Sequence, residues 1–109
     1  MKRINMILLI PLLFNTFAAA QESLKSDDTA LEKGIALVNE EKYEEALPFI
    51  NEAISADKEN AELYRLLGQI LEMLDETEEA IEAWTLCLTL TEDEELEKEA
   101  KLHLEALEE

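Results

Sequence analysis

The chain has 109 residues, enough for one small domain. It carries 27 acidic and 9 basic residues, and its formal net charge of −18 repels nucleic-acid phosphates and anionic membrane surfaces. Because 48% of the residues are apolar, the composition differs from that of a disordered acidic tail. We therefore expect a folded, acidic domain that does not bind nucleic acid.

The first twenty residues have the organisation of a secretion signal. Lys2 and Arg3 give a positive start, residues 4–17 are largely apolar, and Ala18 and Ala20 are the small residues that cleavage requires. An uncleaved anchor is the alternative, but the apolar stretch is shorter than the roughly 20 residues that span a bilayer. We expect cleavage near Ala20 and a periplasmic or secreted protein without stable membrane insertion. Cleavage would leave seven basic residues and change the net charge from −18 to −20.

After a short polar lead at 21–26, the sequence predicts an all-α protein. Apolar residues recur at spacings of three and four, and no stretch alternates apolar and polar residues long enough to indicate a strand. Asn60 is expected to cap one helix, and Thr91 with Glu94 forms a capping box before another. The predicted helices cover residues 27–40, 43–56, 61–74, 77–90 and 93–108.

Small residues recur along these helices with an offset of 34 residues. The same spacing, 12 residues and then 7, occurs twice. Small side chains at these points would let the helices of neighbouring hairpins cross at short distance, where larger ones would separate them. We predict that these residues, together with Trp84, pack the repeats: Gly34, Ala46, Ala53, Gly68, Ala80 and Cys87.

This pattern resembles the tetratricopeptide repeat family, whose unit is a 34-residue helix–turn–helix. The second segment, 61–94, keeps the pattern best, through Tyr64, Leu67, Gly68, Ala80, Trp84 and the small Cys87. The first segment, 27–60, keeps Gly34, Tyr43, Ala46 and Ala53 but has Ala30 and Lys33 where larger apolar residues are usual. The resemblance implies a right-handed superhelix of two repeats, at 27–60 and 61–94, followed by a capping helix.

The capping helix is predicted at 95–109. It has a narrow apolar stripe and no glycine at the expected place, so we expect it to leave the register of the repeats. One face would cover the last hairpin and the other would be solvated. His103, beside the apolar stripe, is expected to be a partly exposed surface residue.

The resemblance also implies a concave groove lined by the first helix of each repeat. At the lining positions this sequence has Leu31, Ile35, Val38, Asn39, Glu62, Arg65, Gln69, Glu72 and Met73. The first three form an apolar patch beside a polar, mainly acidic one. We expect the groove to bind a protein or peptide that has an apolar anchor and flanking Lys or Arg residues.

Catalysis is not expected from this sequence. Cys87 is the only cysteine and His103 the only histidine, and one of each makes neither a metal site nor a triad. We therefore predict no cofactor, no metal and no enzyme activity. The primary hypothesis is an interaction module of a cell-envelope assembly, and the alternative is a self-assembling structural subunit without a separate ligand. Because two repeats are few, a homodimer or docking onto a larger assembly would complete the stack.

Overall fold

The computed structural model describes residues 26–109, and within this range the protein has five α-helices and no strand. The predicted all-α class is therefore confirmed, and every predicted helix end lies within one residue of the observed one. The predicted signal peptide at 1–20 and most of the lead at 21–26 lie outside the described residues. The helices are α1 Ser26–Asn39, α2 Tyr43–Ala56, α3 Ala61–Met73, α4 Thr77–Leu90 and α5 Glu94–Leu107.

Polar side chains fix the starts of α3 and α5. Asn60 Oδ1 accepts a hydrogen bond from the Glu62 N–H at 3.1 Å, so the predicted cap is confirmed. The capping box predicted to begin at Thr91 is wrong, because Asp93 directly precedes the helix and its Oδ1 accepts from the Leu96 N–H at 2.9 Å. The Thr91 hydroxyl accepts instead from the Asp93 N–H at 3.1 Å, which orders the loop before the helix.

The two hairpins turn in the same way, 34 residues apart. After α1, the Lys42 N–H donates to the carbonyl oxygen five residues earlier at 2.8 Å, and Glu41 has a φ of 62°. After α3, the Glu76 N–H makes the equivalent bond at 2.9 Å, and Asp75 has a φ of 59°. Such a bond across a left-handed residue ends a helix. The backbone thus repeats the period that the small residues show in the sequence.

Each hairpin is packed closely at its glycine. At Gly34, the Ile50 side chain of α2 approaches so closely that its Cγ1 would lie 3.2 Å from an added Cβ. At Gly68, the indole of Trp84 in α4 would have its Nε1 only 2.7 Å from an added Cβ. The glycines therefore serve contacts within a hairpin, and the prediction that they lie between neighbouring hairpins is wrong. The reason is that a short turn brings the two helices of one hairpin into the closest contact.

The core runs through the helices in chain order. One buried cluster joins α1, α2 and α3, a second joins α3 and α4, and a third joins α4 and α5. In the third cluster Trp84 and Cys87, both fully buried, pack with Leu96 and Ala100 of α5. The residues predicted to pack the repeats are all buried: Gly34, Ala46, Ala53, Gly68, Ala80, Trp84 and Cys87.

Helix α5 covers the last hairpin with one face, as predicted, but it keeps the register of the repeats that it was expected to leave. Glu99 Oε2 accepts from Arg65 Nε at 2.9 Å, and these two residues are 34 positions apart. Helix α5 thus lies beside α3 where the first helix of a third repeat would lie. Leu102 occupies the position that Gly68 has one repeat earlier, and its residue surface is 66% exposed.

Candidate partner-binding groove

The part of the predicted groove on α1 divides into core and surface residues. Leu31 and Val38 are half-buried and pack against the cluster that contains Ile50. Ile35 remains 41% exposed, and Asn39 is exposed at the end of the helix. The apolar patch predicted from three residues therefore presents mainly Ile35 to a partner.

On α3, the predicted groove contains an arginine between two carboxylates. Arg65 Nη1 lies 3.3 Å from Glu62 Oε2, and Arg65 Nε donates to Glu99 Oε2 at 2.9 Å. Burial alone would lower the pKa of Arg65, but the hydrogen bond and charge of Glu99, with the weaker influence of Glu62, raise it. The guanidinium is therefore charged and already paired, which makes it a poor ligand for the carboxylate of a bound peptide.

Glu72 joins three helices. Its Oε2 accepts from Trp84 Nε1 at 2.8 Å and lies 2.7 Å from His103 Nδ1. The His103 ring stacks on the indole, with 4.0 Å between ring centroids and 13° between planes. Polar contacts and ring stacking therefore hold α5 against α3 and α4, in addition to the apolar core.

The sequence pattern did not indicate this cluster, because His103 was expected to be a surface residue beside the apolar stripe. Its side chain is 33% exposed, but the imidazole is engaged on one edge and one face. The offset of 34 residues was a usable signal, since it pairs Arg65 with Glu99 and Gln69 with His103. This offset places the polar side of α5 beside α3. The apolar stripe alone indicates only that α5 packs on the last hairpin.

Four of the nine predicted groove residues are exposed: Ile35, Asn39, Glu62 and Met73. The other five are half-buried: Leu31, Val38, Arg65, Gln69 and Glu72. Met73 has 59% of its surface exposed, so each of the two first helices offers one large apolar side chain. A partner in this groove would meet two separate apolar side chains and a carboxylate, not a continuous apolar strip.

Cys87 lies in the core and not at a surface where it could act as a nucleophile. Burial, together with the charges of Glu62 and Glu99, raises its pKa to about 11. A thiol with that pKa is protonated at neutral pH and reacts slowly. Within residues 26–109, no group of three or more His, Cys, Asp or Glu side chains is placed to hold a metal ion. In the same range, no helix has the length and apolar character needed to cross a membrane.

Two hairpins with the same turn and the same glycine contact, followed by a packed fifth helix, define a helical-repeat protein. Residues 28–60 match the family model described as tetratricopeptide repeat. The first hairpin is therefore similar to a tetratricopeptide repeat. The match falls on the first hairpin, whereas the sequence pattern favoured residues 61–94. A search of the curated proteins finds no significant match to the chain.

The similarity to this family bears on the class of function. Tetratricopeptide repeats are generally protein–protein interaction modules, and they are not enzymes as a family. They typically bind other proteins or peptides.

Proposed function

We propose that this chain is an adaptor that binds a protein or peptide partner across the groove formed by α1 and α3. The observation that carries the proposal is the exposure of Ile35 and Met73, one large apolar side chain on each first helix. The carboxylate of Glu62 is exposed on the same helix as Met73, with 63% of its side chain accessible. A peptide that crosses both helices would bury the two apolar side chains and remain close to the carboxylate.

The charge of the partner follows from the charge of the domain. Acidic residues outnumber basic ones by 27 to 9, and the one basic residue predicted in the groove, Arg65, is already paired with Glu62 and Glu99. A segment with Lys or Arg on both sides of an apolar residue complements this surface and is attracted to it from a distance. Nucleic acid, which is polyanionic, is repelled for the same reason.

The proposed adaptor is exported, and its first twenty residues act as a cleaved signal peptide. Lys2 and Arg3, the apolar stretch at 4–17 and the small residues up to Ala20 support cleavage by a signal peptidase. The released domain would act in the periplasm or outside the cell, as part of a cell-envelope assembly, and would not remain inserted in the membrane.

Binding of synthetic peptides tests the groove. The probe is a short labelled peptide with one leucine flanked by lysines, and its control carries serine in place of the leucine. Exposed charges are screened over about 8 Å at physiological ionic strength, so the association rate should fall as salt is added. Burial of apolar surface depends little on salt, so the dissociation rate should change much less.

Variants separate the two contributions. Ile35→Ser with Met73→Ser should speed dissociation and leave the salt dependence of association unchanged, whereas Glu62→Gln should weaken that salt dependence. Leu102→Ser, an exposed leucine of α5, is the matched control and should behave as the parent. Leu31 and Glu72 stay unchanged, because they support the core and α5. The groove proposal is wrong if the groove variants bind the peptide as the parent does.

Self-assembly without a separate ligand is the second candidate function. It is favoured by α5, where Leu102 is 66% exposed and, within residues 26–109, no following helix packs on that face. Light scattering across a range of concentrations separates the two candidates. A stable homopolymer supports the structural subunit, and a monomer or homodimer supports the adaptor.

A further inference from the structure

A second apolar surface lies between α2 and α4. It is a pocket of about 290 Å³ in which Leu71 and Ala83 are buried, while Leu47 and Leu67 are partly buried. Leu86 stands at the edge with 44% of its surface exposed. Two side chains of α3 and two of α4 thus contribute to one apolar depression, together with one from α2.

This pocket is separate from the proposed groove. On α3 it uses Leu67 and Leu71, whereas the groove uses Arg65, Gln69 and neighbouring residues. Residues two positions apart on an α-helix point in directions that differ by about 200°. The pocket therefore opens on the side of α3 that faces away from the groove, and one partner segment cannot fill both sites.

Two carboxylates form the edge of the pocket on α4. Glu79, Glu82 and Leu86 follow one another at spacings of three and four, so they share one face of the helix. Both carboxylate residues are exposed, and within residues 26–109 neither forms an ion pair. By contrast, Glu72 and Glu99 at the α3–α5 contact are both engaged by donors. The carboxylates at the pocket are thus free to bind a cation from outside the domain.

We propose that this pocket is a second docking site, which takes an amphipathic helix of a partner protein. A large apolar side chain of that helix would enter the pocket beside Leu86, and a Lys or Arg one turn away would pair with Glu79 and Glu82. Ligand pockets for small molecules are typically about 300–1,000 Å³. A pocket of about 290 Å³ lies just below that range and suits a side-chain anchor better than a whole ligand. A second copy of this chain fits less well, because each copy carries a net charge of −18.

A defined helical peptide tests the site on the purified protein. The probe has two leucines one turn apart with a lysine one turn from each, in an otherwise alanine and glutamine sequence. Its control has the same lysines and serine in place of both leucines. Leu86→Ser, and separately Glu79→Gln with Glu82→Gln, should each weaken binding of the probe by about tenfold. A spin label on the peptide should broaden the methyl signals of Leu47 and Leu86 and leave those of Ile35 sharp.

Matched variants on α5 control for general loss of charge or apolar surface. Glu105→Gln with Glu108→Gln removes two exposed charges at the same spacing of three, and Leu102→Ser removes an exposed leucine. Both should bind the probe within about twofold of the parent. The two glutamine substitutions at the pocket remove no core contact, so they remain a test even if Leu86→Ser unfolds the protein.

Three results would overturn the inference. The first is equal binding of the leucine and serine peptides, which would make the interaction purely electrostatic. The second is loss of binding in Ile35→Ser with Met73→Ser and not in the pocket variants, which would support the groove and refute the pocket. The third is a homodimer that sediments as such and dissociates when Leu86 is replaced by serine, which would make a second copy the occupant.

Discussion

Replacing Gly68 with alanine should destabilise the protein more than the same change at Gly34. The new Cβ at Gly68 would lie 2.7 Å from Trp84 Nε1 and 2.9 Å from the indole Cδ1 and Cε2. The indole cannot move away easily, because it is fully buried, donates to Glu72 and stacks on His103. Helix α3 or α4 must therefore shift to admit the methyl group.

The change in the free energy of unfolding is the sum of two opposing contributions. Alanine is favoured over glycine inside a helix by about 1 kcal/mol, whereas overpacking a tight core costs about 1–3 kcal/mol. At Gly68 the rigid indole puts the second contribution near its upper limit, so the free energy of unfolding should fall by roughly 1–2 kcal/mol. At Gly34 the new methyl group meets the flexible end of the Ile50 side chain. Rotation of that side chain relieves the contact, so the change should stay within about 1 kcal/mol of zero.

Urea unfolding followed by circular dichroism measures both variants, provided that the slope of the transition stays constant. A Trp84→Phe background supplies the control, because phenylalanine lacks the five-membered ring that meets the new methyl group. Gly68→Ala should be less destabilising in that background than in the parent. Equal losses at Gly34 and Gly68, or the same loss with and without the indole, would refute the packing argument.

Three further predictions concern the cap, the thiol and the N-terminus. Asp93→Ala should lower the free energy of unfolding by about 1 kcal/mol, because it removes the acceptor for the Leu96 N–H. Urea unfolding should show a smaller loss of stability for Thr91→Ala. The pKa of Cys87 is raised by burial from 9.0 to about 11, so the folded thiol should resist alkylation at neutral pH until the protein unfolds. Because the unfolded thiol loses its proton first, stability should decline as the pH rises from 9.0 to about 11, and this decline should be smaller in Cys87→Ala. Mass spectrometry of the exported protein should find Gln21 at the N-terminus, whereas an intact leader in the membrane fraction would contradict the proposed export.

The helices could be predicted because each carries its own local signals. Apolar residues at spacings of three and four define their lengths, and Asn60 marks a start with a cap that the structure contains. The start of α5 shows the limit of such signals. Thr91 and Asp93 are both good capping residues, and the choice between them depends on which one directly precedes the first helical turn.

The contacts between helices were harder to predict, because they depend on the direction of each side chain. Gly34 and Gly68 could be recognised as sites of close packing, but their partners, Ile50 and Trp84, follow only from the way each hairpin closes. The same holds for His103, whose bond to a residue 31 positions earlier has no local signal. The candidate groove is therefore only partly as the sequence suggests, since contacts with α4 and α5 engage two of its five polar residues, Arg65 and Glu72.

Leu102 has a consequence for the engineering of longer arrays from this protein. A helix added after α5 by copying a hairpin would pack against Leu102. At the equivalent positions, Gly34 and Gly68 leave room for the side chains of Ile50 and Trp84. The added helix would also meet Glu105 at the position that Leu71 occupies one repeat earlier. Duplication of a hairpin would therefore place a steric clash and an uncompensated carboxylate at the new junction. Elongation at this end would call for Leu102→Gly and Glu105→Leu together.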